Sequence, residues 1–171
     1  TRNTMKIMLD KSPKQIKEYS MVDDFEHWQL RTPLTRYRHA GVPYGLDNGA
    51  FTIFRQPTWV KLVEQAKIVK PVFVCLPDVV GSARRTLELF PHFTAITSSL
   101  PRALVLQDGI GDFDIPWSSI EAVFIGGSDE FKKSSEAVQA AKTAKILGKW
   151  VHVGRVNTVE RIHQWWGTAD S

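Results

Sequence analysis

Short apolar runs recur along the chain, each closed by a polar residue and then by a glycine or proline turn. They are Lys6-Ile7-Met8-Leu9-Asp10, Tyr44-Gly45-Leu46-Asp47-Asn48-Gly49, Phe73-Val74-Cys75-Leu76-Pro77-Asp78, Ala103-Leu104-Val105-Leu106-Gln107-Asp108-Gly109, Ala122-Val123-Phe124-Ile125-Gly126-Gly127 and Trp150-Val151-His152-Val153-Gly154. Almost wholly apolar runs of this length are what strands covered on both faces require. Strands are therefore expected near residues 6–10, 43–48, 72–76, 103–107, 122–125 and 150–153.

Helical signals fall between these runs. Ser12-Pro13 is an N-cap followed by proline at the first helical position and predicts a helix over 13–20. Thr58 is expected to cap a helix to about Val69, with Leu62, Val63, Ala66 and Val69 on its buried side. Ser82 starts another from Ala83 past Phe90. Residues 129–147 form the clearest helix, with Ala137, Ala140, Ala141 and Ala144 for close packing and Gly148 as C-cap. Thr158 starts the last helix, to about Trp166. Residues 21–43 are the least regular: Phe25, Trp28 and Leu30 suit a core, and Thr32-Pro33 suits the start of a short helix through Arg36 and Arg38.

Strands alternating with helices are the βαβ rhythm, in which right-handed crossovers build a parallel sheet. Six such units fit into 171 residues, fewer than the ~250 residues usual for an eight-stranded barrel. The choice lies between an open doubly wound sheet and a TIM-type (β/α) barrel, compact or incomplete, forming one domain over 1–171. The barrel is favoured because polar residues decorate the ends of all six strands rather than one switch point.

Composition narrows the class. The chain is 43% hydrophobic, enough for a core that removes roughly 70% of the unfolded surface from water. Its net charge of +4 permits contact with a phosphate backbone without demanding it. The basic cluster Arg31, Arg36, Arg38 and His39 reads either as a solvated face or as a phosphate-contacting patch. The single cysteine, Cys75, excludes a zinc ribbon and an internal disulfide and suits a reducing cytosol. No apolar run approaches the ~20 residues that span a bilayer, so a cytoplasmic protein without membrane contact is expected.

Ligands of parallel α/β folds bind beyond the carboxyl ends of the strands. The candidates there are Asp10, Asp47, Asp78, Gln107, Asp108, Gly126, Gly127, His152, Gly154 and Arg155. Asp47, Asp78 and Gln107 suit a planar heterocycle, since carboxylates accept from ring and exocyclic N–H groups while an amide both donates and accepts. The backbone N–H groups of Gly126-Gly127 suit a carbonyl oxygen. Each has a plainer reading: Asp47 before Asn48-Gly49 as turn chemistry, Asp78 as a cap, Gly126-Gly127 as a tight turn, His152 as a satisfied core histidine, Arg155 as a surface ion-pair partner. Walker, G-x-G-x-x-G, H-E-x-x-H and G-x-S-x-G patterns are all missing from the sequence.

Leu46-Asp47-Asn48-Gly49-Ala50-Phe51 resembles the Asp-Ser-Gly-Gly-Phe signature of the tRNA-guanine transglycosylase superfamily. Cys75-Leu76-Pro77-Asp78 is similar to its later strand-end aspartate, Leu106-Gln107-Asp108-Gly109 to its Val-Gln-Gly-Gly, and Phe124-Ile125-Gly126-Gly127 to its Gly-Gly-Leu, in the family's order over about residues 44–157. With His152-Val153-Gly154-Arg155-Val156-Asn157, the likeness is nearest to the short phage and bacterial-island branch that exchanges guanine in DNA for a 7-deazaguanine. The resemblance implies a (β/α)8 barrel and base exchange through a covalent glycosyl-enzyme intermediate, with no cofactor. It implies Asp47 as acid/base carboxylate, Asp78 and Gln107 on the purine edge, Gly126 and Gly127 on its carbonyl, and Arg155 on a backbone phosphate. Partners would be DNA, or tRNA, and a free purine or deazapurine, in the cytoplasm of a host cell if the gene is phage-borne.

The likeness has departures. Asn48 and Ala50 replace the family's serine and second glycine, and one cysteine cannot supply the zinc site of the tRNA enzymes. Asp170 matches the first aspartate of the family's Asp-x-x-Asp, so the family's nucleophile would fall just past Ser171. Either more chain follows, a homodimer or other partner completes the site, or Asp47 or Asp170 is the nucleophile. The alternatives to an exchanging enzyme are a catalytically silent purine- or nucleic-acid-binding barrel, and a phosphate-sugar enzyme gripping phosphate with Gly126-Gly127 and Gly154-Arg155.

Overall fold

The computed structural model describes residues 5–35, 38–165 and 167–171. Among the described residues seven strands, β1 (Lys6–Leu9), β2 (Glu26–Arg31), β3 (Tyr44–Leu46), β4 (Phe73–Cys75), β5 (Arg102–Leu106), β6 (Ala122–Ile125) and β7 (Trp150–Val153), form one sheet in chain order. Every neighbouring pair is parallel. The helices are α1 (Pro13–Ser20), α2 (Gln56–Ala66), α3 (Ala83–Leu89), α4 (Asp129–Lys133), α5 (Ser135–Ile146) and α6 (Val159–Trp165). The fold is thus α/β, with a curled all-parallel sheet. Residues 170–171 lie between its two edges. Asp170 N donates to Val151 O at 2.9 Å and Val153 N to Asp170 O at 2.7 Å, while Ser171 N donates to Lys6 O at 2.9 Å and Met8 N to Ser171 O.

Side chains alternate across the strands and build two cores. On the helix side, Leu46, Val74, Leu76, Leu104, Leu106, Val123, Ile125, Val151 and Val153 pack against helical residues such as Trp59, Val63 and Ala141. Inside the curl, Met8, Trp28, Phe73, Cys75, Ala103 and Val105 pack together. Gly45 is required here: a Cβ on it would lie 2.4 Å from the tip of the Phe73 ring. The rings of Phe73, Phe124 and His152 sit 4.9–6.2 Å apart, centroid to centroid, so the interior is filled rather than open.

Local chemistry explains most elements. Ser12 accepts from Gln15 N while the Gln15 side chain accepts from Ser12 N, a closed capping box at the start of α1. Ser82 caps α3, and Thr158 Oγ1 accepts from Arg161 N at 3.2 Å in the first turn of α6. Four alanines of α5 are buried, letting that helix lie close to β6 and β7.

The sequence reading fails at three places. β2 lies within the stretch read as irregular, because its outward face is polar: Gln29 is fully buried, with Nε2 donating to Lys11 O (3.2 Å) and Arg38 O (3.0 Å) and Oε1 accepting from Ala40 N (3.1 Å). That face is covered by loop backbone whose carbonyls need donors, so an apolar strand pattern would leave them unpaired. Thr32-Pro33 begins a turn closed by Thr35 N to Thr32 O at 3.0 Å, and no helix forms in the described part of 32–43; Arg36 lies outside the described residues, as does Trp166. The helix expected over 129–147 is broken at Ser134, whose extended backbone lets its Oγ accept from Ala137 N and cap α5. A smaller offset concerns α2, which starts at Gln56 rather than at Thr58 and ends at Ala66, so Val69 lies beyond it and is exposed rather than on the buried side.

Candidate functional site

A cavity of about 270 Å³ opens at the carboxyl ends of the strands and is lined by Asp47, Asp78, Gln107, Lys132, His152 and Arg155 among others. Its floor is the Phe124 and His152 rings. Gly126, Gly127 and Gly154 also line it, and at Gly154 a Cβ would come within 2.8 Å of Phe124.

The carboxylates converge through the amides beside them. Asn48, which follows β3, donates from Nδ2 to Leu76 O at 2.7 Å and to Asp78 Oδ1 at 2.8 Å, and its Oδ1 accepts from Ala50 N at 2.8 Å. Gln107, which follows β5, donates from Nε2 to Asp78 Oδ2 at 3.2 Å and to Thr86 Oγ1 at 2.8 Å, while its Oε1 accepts from Gly81 N at 2.6 Å. Both N–H groups of each amide are therefore spent. Asp78 is held from two sides and keeps unused lone pairs; Gln107 is a positioning residue for it rather than a free contact.

Burial raises the pKa of Asp78 above the ordinary carboxylate value, against the lowering effect of the Asn48 and Gln107 donors. Asp47 is likewise raised by burial; the N–H groups of Asn48 and Gly49 pull it down, Asp78 pushes it up and Arg155 pulls it down. Two electrostatically coupled carboxylates thus share one small cavity. Burial also pushes up the Cys75 thiol, with Asp47 and Asp78 adding to the effect, so Cys75 is no thiolate nucleophile.

Asp108 serves the scaffold. Its Oδ2 accepts from Ser128 N at 2.9 Å and its Oδ1 from the Ser128 hydroxyl. Burial raises its pKa, but these bonds outweigh that and leave it lowered. Gly127 has φ +75° and its missing Cβ would be 2.6 Å from Asp108 Oδ2, so glycine is needed for this turn to close. Gly126 N donates to Leu106 O at 2.9 Å and Gly154 N to Ile125 O at 3.0 Å. Of the glycine pair, only the Gly127 N–H has no partner among the described residues.

His152 is buried, its Nδ1 has no partner among the described residues, and burial followed by the Lys132 charge lowers its pKa to about 3. It is a neutral imidazole. Arg155, with φ +60°, carries its guanidinium 3.2 Å over the ring centre of Phe51, which is 68% exposed at the cavity mouth. Asp10 accepts from Thr35 Oγ1 at 2.9 Å and does not line the cavity.

Asp170 is the candidate that the fold separates from the rest. Its carboxylate accepts from Lys6 N at 2.7 Å, beside Gly148 and Lys149 at the amino-terminal ends of the strands. Only Ser171 of that segment reaches the cavity. The physical reason is side-chain direction: successive residues of the segment point opposite ways, so Ser171 lines the cavity while the Asp170 carboxylate turns back to Lys6 N at the start of β1.

Lys132 was not among the candidates. It is 4% exposed, and its Nζ donates to Gly154 O at 2.6 Å. The nearby acid, Asp129, is taken by Arg161 at 2.6 Å. Burial, then the charges of Arg155 and Arg161, lower the Lys132 pKa to about 8. The readable signal was Ser134-Ser135-Glu136, an N-cap followed by an acid in the first turn, which marks a helix start inside the supposed single helix.

Among the described residues no group of three or more His, Cys, Asp or Glu is placed to hold a metal, and no helix is long and apolar enough to cross a membrane. Comparison with known proteins gives no match to any family model, curated protein or solved structure.

Proposed function

We propose that the curled sheet is a TIM-type (β/α) barrel, its last stave supplied by residues 169–171, and that the cavity exchanges guanine in DNA for a 7-deazaguanine. The observation that carries this reading is the convergence of Asp47 and Asp78, remote in sequence, in one cavity at the small end of ligand-site volumes, which run from about 300 Å³. Raised carboxyl pKa values are what proton transfer near neutral pH requires.

In this reading Asp78, fixed by Asn48 and Gln107, accepts from the N1–H and exocyclic amine of guanine with its remaining lone pairs. The Gly127 N–H bonds the purine carbonyl. Asp47 gives its proton to the departing base, which keeps the electron pair of the broken C1′–N bond; the resulting carboxylate pairs with the oxocarbenium ion at C1′ until a nitrogen of the incoming base bonds that carbon and returns its proton to Asp47. Arg155 holds a backbone phosphate at the mouth, and Phe51 shields the extracted base, since a base must leave the stack before its glycosidic bond is reached.

Incubation of the protein with duplex DNA and labelled guanine tests the reading. Label should enter the polymer with the wild type and not with Asp47→Asn; absence of label with the wild type overturns it. The position of Asp170, away from the cavity, favours a second reading: a silent barrel that binds a purine without exchanging it. Calorimetric binding of guanine without incorporation of label would select that one.

A further inference from the structure

Lys132 is the buried nucleophilic group that base exchange leaves without a task. It projects from α4, a short helix held by Ser128, whose Oγ accepts from Phe131 N at 3.1 Å and which is itself anchored by Asp108. The break at Ser134 ends α4 at Lys133 and starts α5, so Phe131 and Lys132 turn inward together. The amine reaches the cavity, where Gly154 O fixes its position. No carboxylate among the described residues forms an ion pair with it, because Arg161 occupies Asp129.

We infer that Lys132 Nζ is an imine-forming nucleophile for the C1′ aldehyde of a sugar that has lost its base within this cavity. The inference rests on the base-exchange reading, in which C1′ stands without a base between departure and arrival. If water takes that carbon first, the sugar becomes a hemiacetal in equilibrium with its open-chain aldehyde. The neutral amine adds to that carbonyl carbon, forming the C1′–N bond. The two amine hydrogens and the carbonyl oxygen then leave as one water, giving C1′=N without any change of oxidation state. The reverse hydrolysis releases the sugar. Burial and the neighbouring cations Arg155 and Arg161 favour the unprotonated amine this step needs; Asp129 opposes them, and His152, the other titratable group facing Lys132, stays neutral.

The test uses the full chain with a duplex carrying one abasic site, made by excising uracil, in the presence of sodium cyanoborohydride, which reduces the imine to a stable amine. The expected result is a covalent protein–DNA species whose peptide map places the link on Lys132, at least tenfold less of it with Lys132→Met, and none with a tetrahydrofuran site that has no aldehyde. No adduct, or an adduct mapped to other lysines, overturns the inference, and mapping of the wild-type adduct stands whether or not the variant folds. Guanine exchange on intact duplex is measured in parallel. Exchange without trapping refutes the role of Lys132 alone, whereas trapping at Lys132 without exchange supports that role and refutes base exchange.

Discussion

Asn48 Nδ2 lies 2.8 Å from Asp78 Oδ1 and ties the end of β3 to the end of β4. The same nitrogen holds Leu76 O at 2.7 Å, so one amide sets both the backbone path and the carboxylate beyond it. Asn48→Ala leaves a buried carbonyl without its donor and releases Asp78. The expected cost is about 1–3 kcal/mol, or a fall in melting temperature of roughly 3–10 °C for a chain of this size. Guanine affinity by titration calorimetry should fall with it, and an unchanged melt would show that the amide does not hold the site.

Asp47 carries a stability signature of its own. Its folded pKa lies above the unfolded value of 3.8, so the native state binds the proton more tightly. The carboxyl is therefore best tolerated at low pH, and stability falls as pH rises from about 3.8 through the raised folded value. Asp47→Asn keeps an acceptor for the Asn48 N–H and removes the charge. It should melt higher than wild type at pH 7, the gain vanishing near pH 3, while base exchange is lost. A variant melting lower at pH 7 than the parent contradicts the assigned direction.

Gly45 and Phe73 form a size-matched pair inside the curl. With a Cβ 2.4 Å from the ring tip, Gly45→Ala must displace a fully buried phenyl group, at about 1–3 kcal/mol. Phe73→Leu on the alanine background should recover part of the loss. A double variant no more stable than Gly45→Ala alone would place the strain elsewhere, and thermal denaturation of the two variants beside the wild type decides it.

Arg155 sits in the left-handed region at φ +60°, where glycine is free of the Cβ penalty. Arg155→Gly should leave the melting temperature unchanged or raised, while Arg155→Ala keeps the backbone strain. If the guanidinium meets a phosphate, both variants reduce the slope of log affinity for DNA against log salt by about one. Titrations at several salt concentrations read that slope, and a slope equal to the wild type's removes Arg155 from the backbone contact.

The alternation of apolar runs with capped helical stretches was enough to place six of the seven strands and the parallel α/β class, because strand burial and Ser12, Ser82 or Thr158 caps are local signals. The same local pattern showed that polar groups gather at strand ends, several of which line the cavity there. What those groups can still do was decided only by tertiary structure. Gln107 is consumed by Gly81, Thr86 and Asp78, Asp108 by Ser128, and Gly126 by Leu106, while Asp170 is drawn to Lys6 at the opposite end. Each of these partners is remote in sequence or set by strand register, and a hydrogen bond to a distant segment leaves no periodic trace in the chain. For the same reason β2, whose buried Gln29 answers loop carbonyls, became visible only once the surrounding elements had packed, and so did the burial of Lys132 against Gly154, although the break at Ser134 that turns it inward carries a local cap signal.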